Sequence, residues 1–242
     1  MPTGDAAIFI VAALSGATAA IAGFGIGSLL TPLLALRFGM ETAVAAVAVP
    51  HAVATGFRFV RLRYAVDWEV VRKFGVLSAI GGLAGALLYS RLTSRSLTII
   101  LGILLIATAL SGLAGFSMRI SPPKPIVGAM GFVSGFFGGI AGNQGGLRAA
   151  ALTTFALPAA AFVATSTAIG LMVDAARMPV YLWRAGSDLV PLAKPIAFAS
   201  AGVLVGTIAG EKLLLGLSPT QFRRTVSLLI GLLGAWLLVR AI

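Results

Sequence analysis

The 242-residue chain contains no cysteine and a single histidine. The first absence removes disulfide frameworks, thiol nucleophiles and cysteine-bound zinc or iron–sulfur centres, and the second removes multi-histidine metal sites. Charge is scarce as well: Asp, Glu, Lys and Arg together make up 10% of the residues, against about 25% in a soluble domain. With 59% hydrophobic residues and a mean hydropathy of +1.03, a water-soluble globule is excluded. Acids are the scarcer sign, seven against eighteen bases, for a net charge of +11. Nucleic-acid binders gather such an excess on a polar surface that this chain lacks, so the charge is read as setting membrane orientation. No Pro/Ser/Gly linker separates two soluble folds. The opening residues Met1 to Asp5 lack the positive region of a secretory signal, so the apolar run after them is expected to stay as a membrane segment.

What the chain does have is long hydrophobic runs. A helix crosses a hydrocarbon core of about 30 Å in roughly 20 residues. Eight apolar regions stand out, at 6–36, 41–57, 74–90, 97–117, 126–157, 159–183, 195–215 and 225–239. The first and fifth are too long for one crossing, and each is interrupted by a glycine cluster, Gly23-Phe24-Gly25-Ile26-Gly27 and Gly142-Asn143-Gln144-Gly145-Gly146. The interruptions correspond because the chain repeats itself: Ser15-Gly16 aligns with Ser134-Gly135, Gly23 with Gly142, Gly27 with Gly146 and Arg58 with Arg177, all at one offset. Gly81 and Gly85 align with Gly202 and Gly206 after a two-residue slip. The expected architecture is an all-α polytopic membrane protein of two homologous halves, residues 1–120 and 121–242, with four hydrophobic segments each. The first segment of each half is a glycine-broken helix. Duplication with matched breaks points to a transporter whose site lies where the breaks meet, although glycine also serves close helix packing.

Two topologies satisfy this pattern. If all eight regions cross, the basic loop holding Arg58, Arg61, Arg63, Arg72 and Lys73 places both termini in the cytoplasm. If the broken segments fold back as re-entrant hairpins, each half has three crossings, the halves are inverted and both termini face out. The charge asymmetry is slightly better for eight crossings, which is the expectation carried forward.

Ionisable groups at mid-membrane are functional candidates by default. Arg148 stands about one turn after the Asn143-Gln144 break with no acid nearby in sequence, and an anion would neutralise it. A half-helix beginning near Gly145 offers free N–H groups and partial positive charge, with Gly142, Asn143 and Gln144 beside them. The alternatives are snorkelling or pairing with Asp174. Asp174 and Arg177, three apart, share a helix face and can pair; a buried carboxylate can also carry a transported proton. His51, after Pro50, can bind an anion, carry a proton or bond a backbone carbonyl. Hydroxyls at Ser15, Ser28, Thr31, Thr55, Ser134, Thr153, Thr165 and Ser166 are further candidates to line the site.

The glycine-bearing segments, Ser15-Gly16 through Gly23-Phe24-Gly25-Ile26-Gly27-Ser28 and Ser134-Gly135 through Gly142-Asn143-Gln144-Gly145-Gly146-Leu147-Arg148, resemble the sulfite exporter TauE/SafE family of membrane permeases. The resemblance covers nearly the whole chain. It implies secondary transport of small anions such as sulfite or sulfonates, in a multi-pass protein of a bacterial cytoplasmic membrane. Two departures stand out. The family's Thr-Ser pair is kept as Thr165-Ser166 in the second half, whereas Pro50-His51 takes its place in the first. Pro32 corresponds to Ala151.

The expected mechanism is alternating access, with the anion held between the two breaks. Substrate-binding candidates are Asn143, Gln144, Arg148, Gly142, Gly145, Gly23, Phe24, Gly25, Ser28, His51, Thr165 and Ser166. Coupling or gating candidates are His51, Asp174, Arg177 and Arg58. Phe24 and its aliphatic neighbours would suit an apolar portion of an organic anion. The expected partners are a small anionic substrate, the lipid bilayer, a coupled proton and a second copy of the chain, with no nucleic acid, metal or cofactor. An anion channel is the nearest rival. A membrane-embedded enzyme would need His51 with Asp174 or a serine as its catalytic pair.

Overall fold

A computed structural model describes residues 2–22, 25–114, 123–213 and 219–241. The described chain is helical throughout: α1 (Pro2–Ala22), α2 (Ile26–Phe38), α3 (Met40–Leu62), α4 (Trp68–Val70) running through a π-helical turn into α5 (Val76–Tyr89), and α6 (Ser94–Ala114). Then follow α7 (Lys124–Ala141), α8 (Gly145–Leu152), α9 (Ala159–Leu189), α10 (Ala193–Leu213) and α11 (Pro219–Ala241). Among the described residues, six helical stretches are long and apolar enough to cross a membrane. The protein is an integral multi-pass membrane protein.

Both long glycine-bearing regions are broken, and at each break the chain reverses. Gly25 takes φ 138° and Gly142 φ 69°, conformations open to glycine and strained for other residues. Asp5, at the start of α1, lies 3.9 Å from Arg37 at the end of α2, so α1 and α2 form a hairpin whose two ends share one face of the protein. The second break does the same. The Ser134 hydroxyl of α7 donates to the Gln144 carbonyl at 3.4 Å, and a Cβ at Gly138 would touch the Gln144 side chain, so α8 returns along α7. The expectation of eight crossings is therefore corrected. Each broken segment turns back on itself, and the other long helices are α3, α4–α5, α6, α9, α10 and α11. Hydropathy sees only how long an apolar run is, and a hairpin and a crossing of equal length score alike.

The helix pairings are reciprocal. α1 packs on α10 and α7 on α5, while α3 faces α9 and α6 faces α11. Small residues allow the close approach: a Cβ at Gly16 would collide with the Val203 carbonyl, and one at Gly135 with the Ser78 carbonyl. The same contacts correct the register of the repeat. Gly81 backs onto the Phe132 carbonyl and Gly206 onto that of Ala13, and Ala13 and Phe132 stand at the offset that relates Gly16 to Gly135. Gly81 is therefore the counterpart of Gly206, and Gly85 that of Gly210, so the insertion is a turn longer than two residues. Its place is visible in α9, which has 31 residues against 23 in α3. Gly202, Gly206 and Gly210 recur every four residues, so sequence matching can slip by one helical turn without penalty.

Candidate anion site at the hairpin tips

The tips of the two hairpins meet. A Cβ at Gly27, in the first turn of α2, would collide with the Gly142 carbonyl, and the Ser28 hydroxyl donates to Asn143 Oδ1 at 3.3 Å. Between the tips lies a cavity of about 20 Å³, room for roughly one water molecule. It is lined by Ala19, Gly25, Ile26, Gly27, His51, Thr55, Arg58, Gly142, Asn143, Gln144, Gly145, Arg148 and Thr167. Gly23 and Phe24 lie outside the described residues.

Each tip brings two opposite helix ends together, and the ends are treated differently. The carbonyl-bearing ends of α1 and α7 carry partial negative charge, and an arginine closes each one, from α3 and α9 respectively. Arg58 Nη1 donates to the Ala19 carbonyl at 2.9 Å, and Arg177 Nη1 to the Gly138 carbonyl at 2.5 Å. Ala19 and Gly138, like Arg58 and Arg177, stand at the repeat offset, so the same cap is built twice. Tyr181 adds a second donor to α7 through the Gly139 carbonyl at 2.5 Å. The amide-bearing ends of α2 and α8 begin at the cavity with no side-chain cap at Gly25 or Gln144. Partial positive charge is left there for a ligand.

The second tip adds side-chain donors. Asn143 Nδ2, Gln144 Nε2 and Arg148 Nη1 are buried without any hydrogen-bond partner, as is Gln144 Oε1. Orphaned donors of this kind are costly unless something outside the chain meets them. Arg148 is 3% exposed, and its one hydrogen bond runs from Nε to the Ser166 hydroxyl at 2.9 Å. It makes no ion pair with Asp174, the partner that sequence had left open. Asp174 is engaged elsewhere: its Oδ1 accepts from Arg177 Nε at 3.1 Å and Nη2 at 2.8 Å, and its Oδ2 meets His51 Nδ1 at 2.7 Å and the Thr55 hydroxyl at 3.0 Å. His51 thereby sits on the cavity wall with one ring nitrogen fixed by a carboxylate, leaving Nε2 as its remaining polar atom.

The candidates thus separate. Gly25, His51, Arg58, Gly142, Asn143, Gln144, Gly145 and Arg148 line the cavity. Ser28, Ser166 and Asp174 act on lining residues from behind, and Arg177 stands behind Asp174. Thr165 is placed away from it, its hydroxyl accepting from the Asp67 backbone N–H at 2.9 Å and tying the start of α4 to α9. Arg58, counted in sequence with the basic loop, is buried and belongs to the tip instead. Gly27 and Thr167 are lining residues that the site reading missed. Gly27 was visible as part of the glycine motif, whereas Thr167 carried no signal beyond its place one residue after Ser166.

A family model described as Sulfite exporter TauE/SafE matches residues 8–237 of this chain. The chain belongs to the sulfite exporter TauE/SafE family. That membership makes it a membrane transport protein of a family described as sulfite exporters. No curated protein matches the chain, and neither does any solved structure.

Proposed function

We propose that this TauE/SafE protein is a secondary transporter that carries a small sulfur-containing oxyanion or sulfonate by alternating access through the cavity between the hairpin tips. The observation that carries this reading is the set of buried, unpartnered donors on Asn143, Gln144 and Arg148, facing a cavity where two helix N-termini also converge. An oxyanion has acceptors for all of them and neutralises Arg148. At about 20 Å³ the cavity has room for roughly one water molecule, so it must widen to admit sulfite.

The basic segment with Arg61, Arg63, Arg72 and Lys73 marks the cytoplasmic side, and the two hairpins then make the halves inverted, with both described ends of the chain on the other face. Efflux of an anion from an interior-negative compartment is favoured by about 2.3 kcal/mol per charge per 100 mV and needs no coupled ion. Uptake would require a coupled proton or sodium ion, and for a proton the joined pair of His51 and Asp174 is the place.

Purified protein in liposomes tests the reading by counterflow of labelled sulfite. Saturable exchange that disappears in Arg148→Ala supports it, and flux unchanged by that substitution overturns it.

A further inference from the structure

Arg148 does not stand free in its cavity; it lies along one face of α9. Ser166, Gly170 and Asp174 are spaced four apart on that helix and so form one ridge. The guanidinium rests on the first two, with Nε on the Ser166 hydroxyl at 2.9 Å. A Cβ at Gly170 would come within 3.3 Å of Nη1 and 3.5 Å of Cζ and Nη2. Three of the four heavy atoms of the guanidinium are thus in contact range of one missing methyl. The repeat offset relates Leu29 to Arg148 and His51 to Gly170, which corrects the placing of Pro50-His51 opposite Thr165-Ser166.

We infer that Gly170 is a positioning residue for the anion, the shelf that lets the Arg148 guanidinium lie flat and hold its unpartnered Nη1 at the cavity. This rests on the reading of the cavity as an anion site. A misplacement of 1 Å at a reacting or binding centre can cost about a hundredfold, and a methyl at 170 requires Arg148 to give by a few tenths of an ångström. Gly170→Ala is expected to weaken sulfite binding roughly fivefold, and Gly170→Val, which lifts the head further, at least about tenfold, comparable with loss of a charged hydrogen bond. Alanine is the better helix former, so Gly170→Ala does not lower thermal stability. A site that merely packs would show the reverse pattern.

The experiment is calorimetric titration of detergent-solubilised protein with sodium sulfite, together with thermal unfolding, for wild type, Gly170→Ala, Gly170→Val, Arg148→Ala, Arg148→Lys and the Arg148→Lys/Gly170→Ala pair. Weaker binding in Gly170→Ala with stability kept, and no added loss from Gly170→Ala in the lysine background, establishes the shelf. Binding in Gly170→Ala equal to wild type, or the same proportional loss in both backgrounds, overturns it while leaving the anion site standing. Wild-type protein that binds sulfite no differently from Arg148→Ala removes the anion site itself.

Discussion

Arg177 Nη1 donates to the Gly138 carbonyl oxygen at 2.5 Å, while the same guanidinium holds Asp174 through Nε and Nη2. One side chain therefore closes the last turn of a hairpin helix and balances the buried carboxylate beside His51. Arg58 repeats the first half of that task on Ala19, and the position that the repeat offset relates to Asp174 is Thr55.

Substitution of Arg177 by Leu is expected to cost about 3 to 5 kcal/mol, because it strands a fully buried carboxylate and uncovers carbonyls at the end of α7. Chemical unfolding in mild detergent measures this. Removing the acid as well, in Asp174→Asn/Arg177→Leu, should recover part of the loss, since no unpaired charge is then buried.

Arg148→Leu should behave in the opposite way. No acid partners Arg148, so taking its charge out of the interior relieves a desolvation cost, and stability is expected to be equal to wild type or higher. Sulfite protection against thermal unfolding should vanish at the same time. Protection by sulfite that persists in Arg148→Leu would place the anion elsewhere.

His51→Asn places an amide N–H near the position of Nδ1 and so can keep the bond to Asp174, yet it does not titrate. If the pair carries the proton, sulfite counterflow should survive in this variant, and a pH step across proteoliposomes should no longer drive uptake. Uptake that still responds to the pH step would assign the proton to another group.

The hairpin reversal has a labelling signature. Cysteines introduced singly at Asp5 and Arg37 are expected to react with an impermeant maleimide from the same side of the membrane, and one at Arg61 from the other. A straight α1–α2 crossing would put Asp5 and Arg37 on opposite sides. The chain contains no native cysteine, so no background labelling needs removing.

Much of this molecule was legible in its sequence, and the misreadings have specific physical origins. The breaks at Gly25 and Gly142 were visible because glycine clusters interrupt runs too long for one span, and Arg148 and Asn143 stood out as polar groups in apolar surroundings. The reversal was not visible, since the information that α2 returns along α1 lies in contacts such as Asp5 with Arg37, far apart in sequence. The second register of the repeat was hidden by glycines recurring at one-turn spacing in α10. Thr165 and Ser166 looked equivalent as adjacent hydroxyls, but neighbours on a helix point about 100° apart, so one reaches Arg148 and the other the Asp67 backbone. Gly170 is a different case: what matters there is the absence of a side chain, and composition cannot say which glycine lies under a guanidinium.

The reciprocal packing of α1 on α10 and α7 on α5 bears on what can move. Each hairpin leans on a helix contributed by the opposite stretch of sequence, so residues 1–120 and 121–242 are interlaced like clasped hands. A rocking motion that divides the protein between those two stretches would have to tear apart its closest glycine contacts. A motion that keeps those glycine contacts must carry each hairpin together with its borrowed helix, α1–α2 with α10 and α7–α8 with α5.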